Sequence, residues 1–214
     1  MGEPAYTVLD QVTEETRYRF DQAARVAAIE AAGALFRDRD LRLSINFMPN
    51  AVYEPTACIQ KMLEAAKRVN FPPHNLMFEF TEDERMDTAH ISRIVDTYHS
   101  LGFTTALDDF GAGFAGLGLL VRLQPDIIKL DMALIRDIHT SRAKQAIIAG
   151  IMHFAQALDI RILAEGVETQ EELAVLRAAG VSLSQGYLFA KPELGALPEV
   201  SFSDTRPARS ASGL

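Results

Sequence analysis

Asp108 and Asp109 are adjacent carboxylates at the end of an apolar run, and Gly111, Gly113, Gly116 and Gly118 follow them closely. Two neighbouring negative charges repel, so the pair needs a partner. Further polar residues recur at the ends of apolar stretches: Asn46, Glu79, Lys129, Glu165 and Gln185. Any one acid in such a place is ordinarily a solvated loop residue or a helix N-cap. The joint pattern differs, because four carboxylates gathered at one face are most simply neutralised by a divalent cation. Carboxylates with an Asn carbonyl form an oxygen-rich donor set suited to Mg²⁺ or Mn²⁺. Asp108 and Asp109 could share a dinuclear site, but successive strand residues point to opposite faces. Both reach one site only if the strand is ending or bulged there, and the glycines permit such a bend. Lys129, inside the apolar stretch IIKLD, could orient a water or neutralise a phosphate charge, or could simply be a salt bridge.

These residues need elements to position them. Apolar positions Phe20, Ala23, Ala27, Ala31 and Leu35 recur at helical spacing and predict a helix over Tyr18–Phe36. Further helices are predicted near Thr56–Val69, His90–Leu101, Ser141–Leu158 and Gln170–Ala179, with a short one after the glycine loop. Strands are predicted at Leu41–Phe47, Leu76–Thr81, Thr104–Phe110, Asp126–Asp131, Arg161–Val167 and Ser182–Ala190. Strands alternating with helices imply an α/β fold with a parallel sheet, barrel or doubly wound. In a barrel, the C-terminal strand ends converge on the face where active sites are built. The stretch from Glu193 to Leu214 is rich in Pro, Ser and Arg and is expected to be a flexible tail.

Composition bounds the function. Of the 214 residues, 48% are hydrophobic and 23% charged, enough for a sizeable core. The net charge of -8 argues against broad nucleic-acid or anionic-membrane binding, though not against an anionic substrate reached through a metal. Cys58 is the single cysteine, so no disulfide framework exists within the chain and a cytoplasmic location is expected. The uncharged runs are too short to span a bilayer. The histidines show no ligand spacing.

The set SINF with Asn46, FEFTE with Glu79 and Glu82, DDFG at 108–111, IKLD with Lys129, AEGVET with Glu165 and SQGYLFAKP with Gln185 resembles the EAL-domain family of bacterial cyclic-di-GMP phosphodiesterases. The likeness runs from Arg42 to Pro192, in order. It implies a TIM-like (β/α) barrel and a metal-dependent hydrolase in second-messenger signalling that cuts cyclic di-GMP to linear pGpG. By the same resemblance, Asn46, Glu79, Asp108 and Asp109 are metal ligands for two Mg²⁺ or Mn²⁺ ions. Lys129, Glu165 and Gln185 are catalytic, Glu82 anchors the DDFG loop, and Phe110, Gly111, Tyr187 and Pro192 face the substrate. A homodimer through that loop, and sensory or GGDEF partner domains, are also implied.

One departure stands out. No Glu-Ala-Leu tripeptide occurs in the sequence. The opening GEPAYTVLDQV looks like the loop and helix that follow the strand bearing that motif. A domain over 1–192 lacking its first strands and one ligand is therefore expected, with reduced stability or closure of the sheet edge by a partner chain. Three other readings stay open. They are a cyclic-di-GMP receptor or protein-interaction module without turnover, a Mg²⁺-assisted enolising barrel with a lysine base, and a structural interaction domain.

Overall fold

The computed structural model describes residues 5–37, 39–47, 55–81, 88–112 and 117–202. In chain order the elements are α1 (Ala5–Leu9), α2 (Glu14–Leu35), β1 (Leu43–Asn46), α3 (Pro55–Arg68), β2 (Leu76–Thr81), α4 (Thr88–Ser100), β3 (Thr104–Phe110), α5 (Leu117–Leu123), β4 (Ile127–Leu130), α6 (Met132–Ile135), α7 (Arg142–Ala157), β5 (Arg161–Ala164), α8 (Gln170–Ala178) and β6 (Leu183–Ser184). The strands lie in one sheet in the order β1-β2-β3-β4-β5-β6, so each neighbours the next in sequence. The β1–β2, β4–β5 and β5–β6 ladders are parallel. Parallel neighbours need a crossover, and a helix follows each strand from β1 to β5, the TIM-like (β/α) topology.

The chain divides into two compact units, residues 1–106 with 118–123 and residues 107–117 with 124–214. In the first unit, β1 pairs with β2 from Leu43↔Leu76 to Asn46↔Glu79, and Phe47 N–H continues the ladder to Glu79 O at 3.0 Å. The core there is aromatic. Phe78 meets Tyr98 at 4.7 Å between centroids and Phe103 at 5.3 Å, and Phe47 meets Tyr98 at 5.5 Å, distances at which tilted and edge-on rings attract. Burial pushes the Tyr98 hydroxyl up to about 12, partly opposed by the Arg25 charge. In the second unit, Ile128, Leu130, Ile135, Ile138, Ile148, Ala155, Ala164 and Leu176 are fully buried.

Helix α2 corrects one expectation. It begins at Glu14, because the Thr13 side chain accepts from Thr16 N–H at 3.3 Å and Thr13 N–H donates to Thr16 Oγ1 at 2.9 Å. Its buried face carries Asp21, Gln22, Arg25, Ile29 and Ala32, while Ala23, Ala27 and Ala31 are exposed. Alanine offers little area, so an alanine stripe gains little from burial and does not dictate which face turns inward. The Arg25–Asp21 ion pair lets the charged face go in, with Arg25 also over the Phe47 ring at 6.0 Å.

The last strand is also shorter than the expected Ser182–Ala190. After Ser184 the chain turns at Gly186, where an added Cβ would lie 2.1 Å from Val167 O and 2.4 Å from Val167 N. Only glycine allows that backbone approach, and isolated bonds from Gln185 N–H to Ala164 O at 2.9 Å and Val167 N–H to Gln185 O at 3.0 Å replace the regular ladder there. β5 likewise stops at Ala164, ahead of Gly166 with φ +65°. Residues 193–202 have no regular structure, although Ser201 N–H reaches Phe189 O at 3.0 Å; residues 203–214 lie outside the described set.

Candidate active site

The carboxylate pair sits where β3 ends. Asp108, 9% exposed, follows the buried Ala106 and Leu107 and belongs to the second unit. Asp109 is exposed and has φ +55°, in the left-handed region. A regular strand would send the two side chains to opposite faces. The left-handed step re-aims Asp109, and aspartate is among the few residues that adopt it readily. Asp109 N–H then donates to Asp108 Oδ1 at 3.0 Å.

Lys129 comes from β4, 5% exposed amid buried isoleucine and leucine. Its Nζ lies 2.9 Å from Asp108 Oδ1 and 2.7 Å from Glu165 Oε1. Glu165 follows the last residue of β5, and its N–H bonds Leu130 O at 3.2 Å. The same Oε1 accepts from Gln185 Nε2 at 2.6 Å, just beyond β6. Lysine and glutamine from neighbouring strand ends therefore fix one carboxylate. Asp108, Asp109 and Glu165 each offer an oxygen within 4.8 Å of the others. Two unit charges at that separation repel by roughly 3 to 4 kcal/mol at an effective dielectric constant of about 20. One lysine offsets one of the three charges. The remainder, presented by hard oxygen donors, fits a divalent cation of the Mg²⁺ or Mn²⁺ kind. Among the described residues no histidine or cysteine joins this group.

A pocket of about 510 Å³ in the same unit is lined by Gln185, Tyr187, Pro192, Gly166, Glu168 and Lys191, among others. Tyr187 is 58% exposed, with Lys191 Nζ 5.4 Å from its ring centre. A flat ring and a cation beside acidic groups can hold an aromatic, anionic ligand. The Arg136 guanidinium grips Glu168 with bonds of 2.7 and 2.5 Å. The Arg136 hydrogen bond holds the Glu168 carboxyl below the usual carboxylate range against the opposing effect of desolvation, with the Arg136 and Lys191 charges adding to the lowering. At Glu172, burial acts to raise the carboxyl. The backbone N–H groups of Glu168, Asp137 and Thr169, with the Arg136 charge, outweigh it, so the net shift is downward.

The second unit thus brings together Asp108, Asp109, Lys129, Glu165 and Gln185, with Tyr187 and Pro192 on the pocket wall. Asn46 and Glu79 form a registered pair at the C-terminal ends of β1 and β2 in the first unit. Glu82 lies outside the described residues. Two residues expected at the substrate have close packing neighbours. Phe110 is 6% exposed, with its ring centre 6.3 Å from that of Phe154. Gly111 has φ +98°, and a Cβ there would lie 2.3 Å from Leu134 Cδ1. Sequence reasoning missed Glu168, Glu172 and Arg136. Thr169 and Glu172 were legible as a capping box, T-x-x-E ahead of an apolar run, but Arg136 lies far away in sequence.

A family model described as the EAL domain matches residues 9–192. The crystal structure of a standalone versatile EAL protein from Vibrio cholerae O395, in a c-di-GMP bound form, is 51% identical and superposes with a TM-score of 0.90, covering 96% of this chain and 86% of that one. Klebsiella pneumoniae BlrP1, in a manganese/cy-diGMP complex, is 36% identical with a TM-score of 0.86, covering 93% of this chain and 51% of that one. Among curated proteins, the blue light- and temperature-regulated antirepressor BluF of Escherichia coli K12 is 34% identical over 95% of this chain and 50% of its own length. The cyclic di-GMP phosphodiesterase PdeR of the same organism is 33% identical over 79% of this chain and 25% of its own. The chain thus spans half or less of the length of these curated relatives. No described helix is long and apolar enough to cross a membrane.

Proposed function

The chain belongs to the EAL-domain family, and from that membership we propose that it is a metal-dependent phosphodiesterase opening cyclic di-GMP to linear pGpG. The observation that carries this reading is the oxygen cluster of Asp108, Asp109 and Glu165 around Lys129. The reaction adds water across one P–O bond, and negative charge builds on the phosphoryl oxygens. Asp108, Asp109 and Glu165 would hold a divalent cation, which would supply Lewis-acid charge to the phosphate and acidity to a water. Lys129 sets its Nζ between Asp108 and Glu165 and orients the attacking water with Glu165. Gln185 holds Glu165 in one orientation through Oε1. Tyr187, Lys191 and Pro192 take the dinucleotide's bases and flanking phosphate in the adjoining pocket. Ligand roles for Asn46 and Glu79, a loop-anchoring role for Glu82, a second ion, homodimerisation and sensory or GGDEF partners belong to the same proposal and rest on family resemblance.

The test is incubation of the purified chain with cyclic di-GMP and Mn²⁺ or Mg²⁺, with pGpG followed by chromatography and EDTA as control. Metal-dependent pGpG is the expected result. A second reading, binding without turnover, is favoured by the naming of BluF as an antirepressor. Saturable cyclic-di-GMP binding that EDTA leaves unchanged, with no pGpG formed, would establish it in place of the first.

A further inference from the structure

The turn from β5 to α8, residues 165–169, carries Glu165 at its start and puts Gly166 and Glu168 on the pocket wall. A short turn keeps its shape only if its backbone groups are tied. Glu165 N–H is tied to Leu130 O at 3.2 Å and Val167 N–H to Gln185 O at 3.0 Å, and one side chain supplies the ties of the next two amides. Glu172, 1% exposed in the first turn of α8, accepts at Oε2 from Glu168 N–H at 3.0 Å and Thr169 N–H at 3.2 Å. Its Oε1 accepts from Asp137 N–H at 2.9 Å. Asp137 has φ +55° and follows α6, whose Met132 packs on Gly166 so closely that a Cβ there would lie 2.8 Å from Met132 Cβ. Lys144 of α7 holds the same corner by donating to Ala133 O at 2.7 Å and Arg136 O at 2.6 Å. One carboxylate therefore joins the turn bearing Glu165 to the corner behind the pocket.

A capping box alone does not require this. It needs the reach back to Thr169 N–H, which glutamine supplies as well as glutamate. Here three N–H donors converge on two oxygens, an arrangement only a carboxylate satisfies. We propose that Glu172 is a positioning residue that sets Glu165 and the pocket wall by clamping the 165–169 turn to Asp137. The kinetic consequence rests on the phosphodiesterase reading above; the placement of Glu165 does not.

The test compares Glu172→Gln with Ser141→Ala, which weakens the same unit by removing the N-cap of α7 but leaves every bond of the Glu172 carboxylate and of Lys144 Nζ in place. The first readout is the NMR signal of the Gln185 side-chain amide, which reports its 2.6 Å bond to Glu165. Glu172→Gln is expected to shift that signal, and Ser141→Ala is expected to leave it in place. The second is Mn²⁺ affinity by electron paramagnetic resonance, expected to fall about tenfold in Glu172→Gln alone, with kcat for cyclic di-GMP falling by a similar factor. Should Glu172→Gln fail to fold, Glu172→Asp, which keeps the charge but falls one methylene short of Asp137, carries the same measurements. An unmoved Gln185 signal, or equal changes in Ser141→Ala, would overturn the proposal. Absence of turnover in the unaltered chain would overturn the phosphodiesterase reading only, because the Gln185 signal decides the role of Glu172 without it.

Discussion

Asp109 adopts a left-handed conformation that costs most L-residues about 1 to 2 kcal/mol. That step lets two consecutive aspartates serve one cluster. Asparagine tolerates the same φ and lacks the charge, whereas alanine lacks both advantages. Asp109→Asn is therefore expected to lose Mn²⁺ affinity by at least tenfold, with a metal-free unfolding midpoint no lower than that of the parent, because the carboxylate repulsion is relieved. Asp109→Ala is expected to lose the affinity and also about 1 kcal/mol of stability. Metal titration and urea unfolding of the two variants side by side check this, and equal stabilities would remove the conformational argument. Tyr98 makes a second residue-scale prediction. Its hydroxyl titrates at about 12 in the fold and near 10 when exposed, so the folded state holds its proton over a window where the unfolded chain loses it. The resulting stability is complete below pH 10 and drains away as pH rises towards 12. Tyr98→Phe is expected to flatten the alkaline limb of the stability–pH curve between those values, measured by urea midpoints.

At the scale of elements, α2 shows how packing overrides a pattern. The alanines spaced to look like a core stripe face water, and the opposite side, with Ile29, Ala32 and the Arg25–Asp21 pair, is buried. Ala27→Lys should change stability by less than about 0.5 kcal/mol, as surface substitutions do. Ala32→Lys buries an unpaired charge and should cost several kcal/mol. If thermal unfolding shifted equally for the two, the observed orientation of α2 would be wrong. Glycines also mark the ends of β5 and β6: the local residues suit a longer strand, but Gly166 turns with φ +65° and Gly186 passes close over Val167.

At the scale of the whole molecule, β1 is the outermost strand of the described sheet and pairs only with β2. An edge strand leaves alternate backbone groups without a ladder partner. Amides of Leu43–Asn46 should therefore exchange with solvent faster than those of β4 or β5, each paired on both sides. Hydrogen exchange on a chain shown to be monomeric tests this. Equal protection would mean that some other part of the chain covers the edge.

The sequence by itself determined the alternation of strands and helices, the family, and the residue types at the strand ends. These rest on local periodicity and on motifs whose members are near neighbours in the chain. Thr104–Phe110 and Leu76–Thr81 were legible to the residue because apolar runs bounded by breakers define them. Only the tertiary structure decided that Lys129 lies between Asp108 and Glu165, that Gln185 holds the same Glu165 oxygen, and that the Phe110 ring lies against Phe154. It alone showed that Glu172 reaches Asp137, 35 residues away. The reason is physical. Periodicity tells which face of an element prefers water, but partners remote in sequence are chosen by how those elements pack, and no local signal carries that choice.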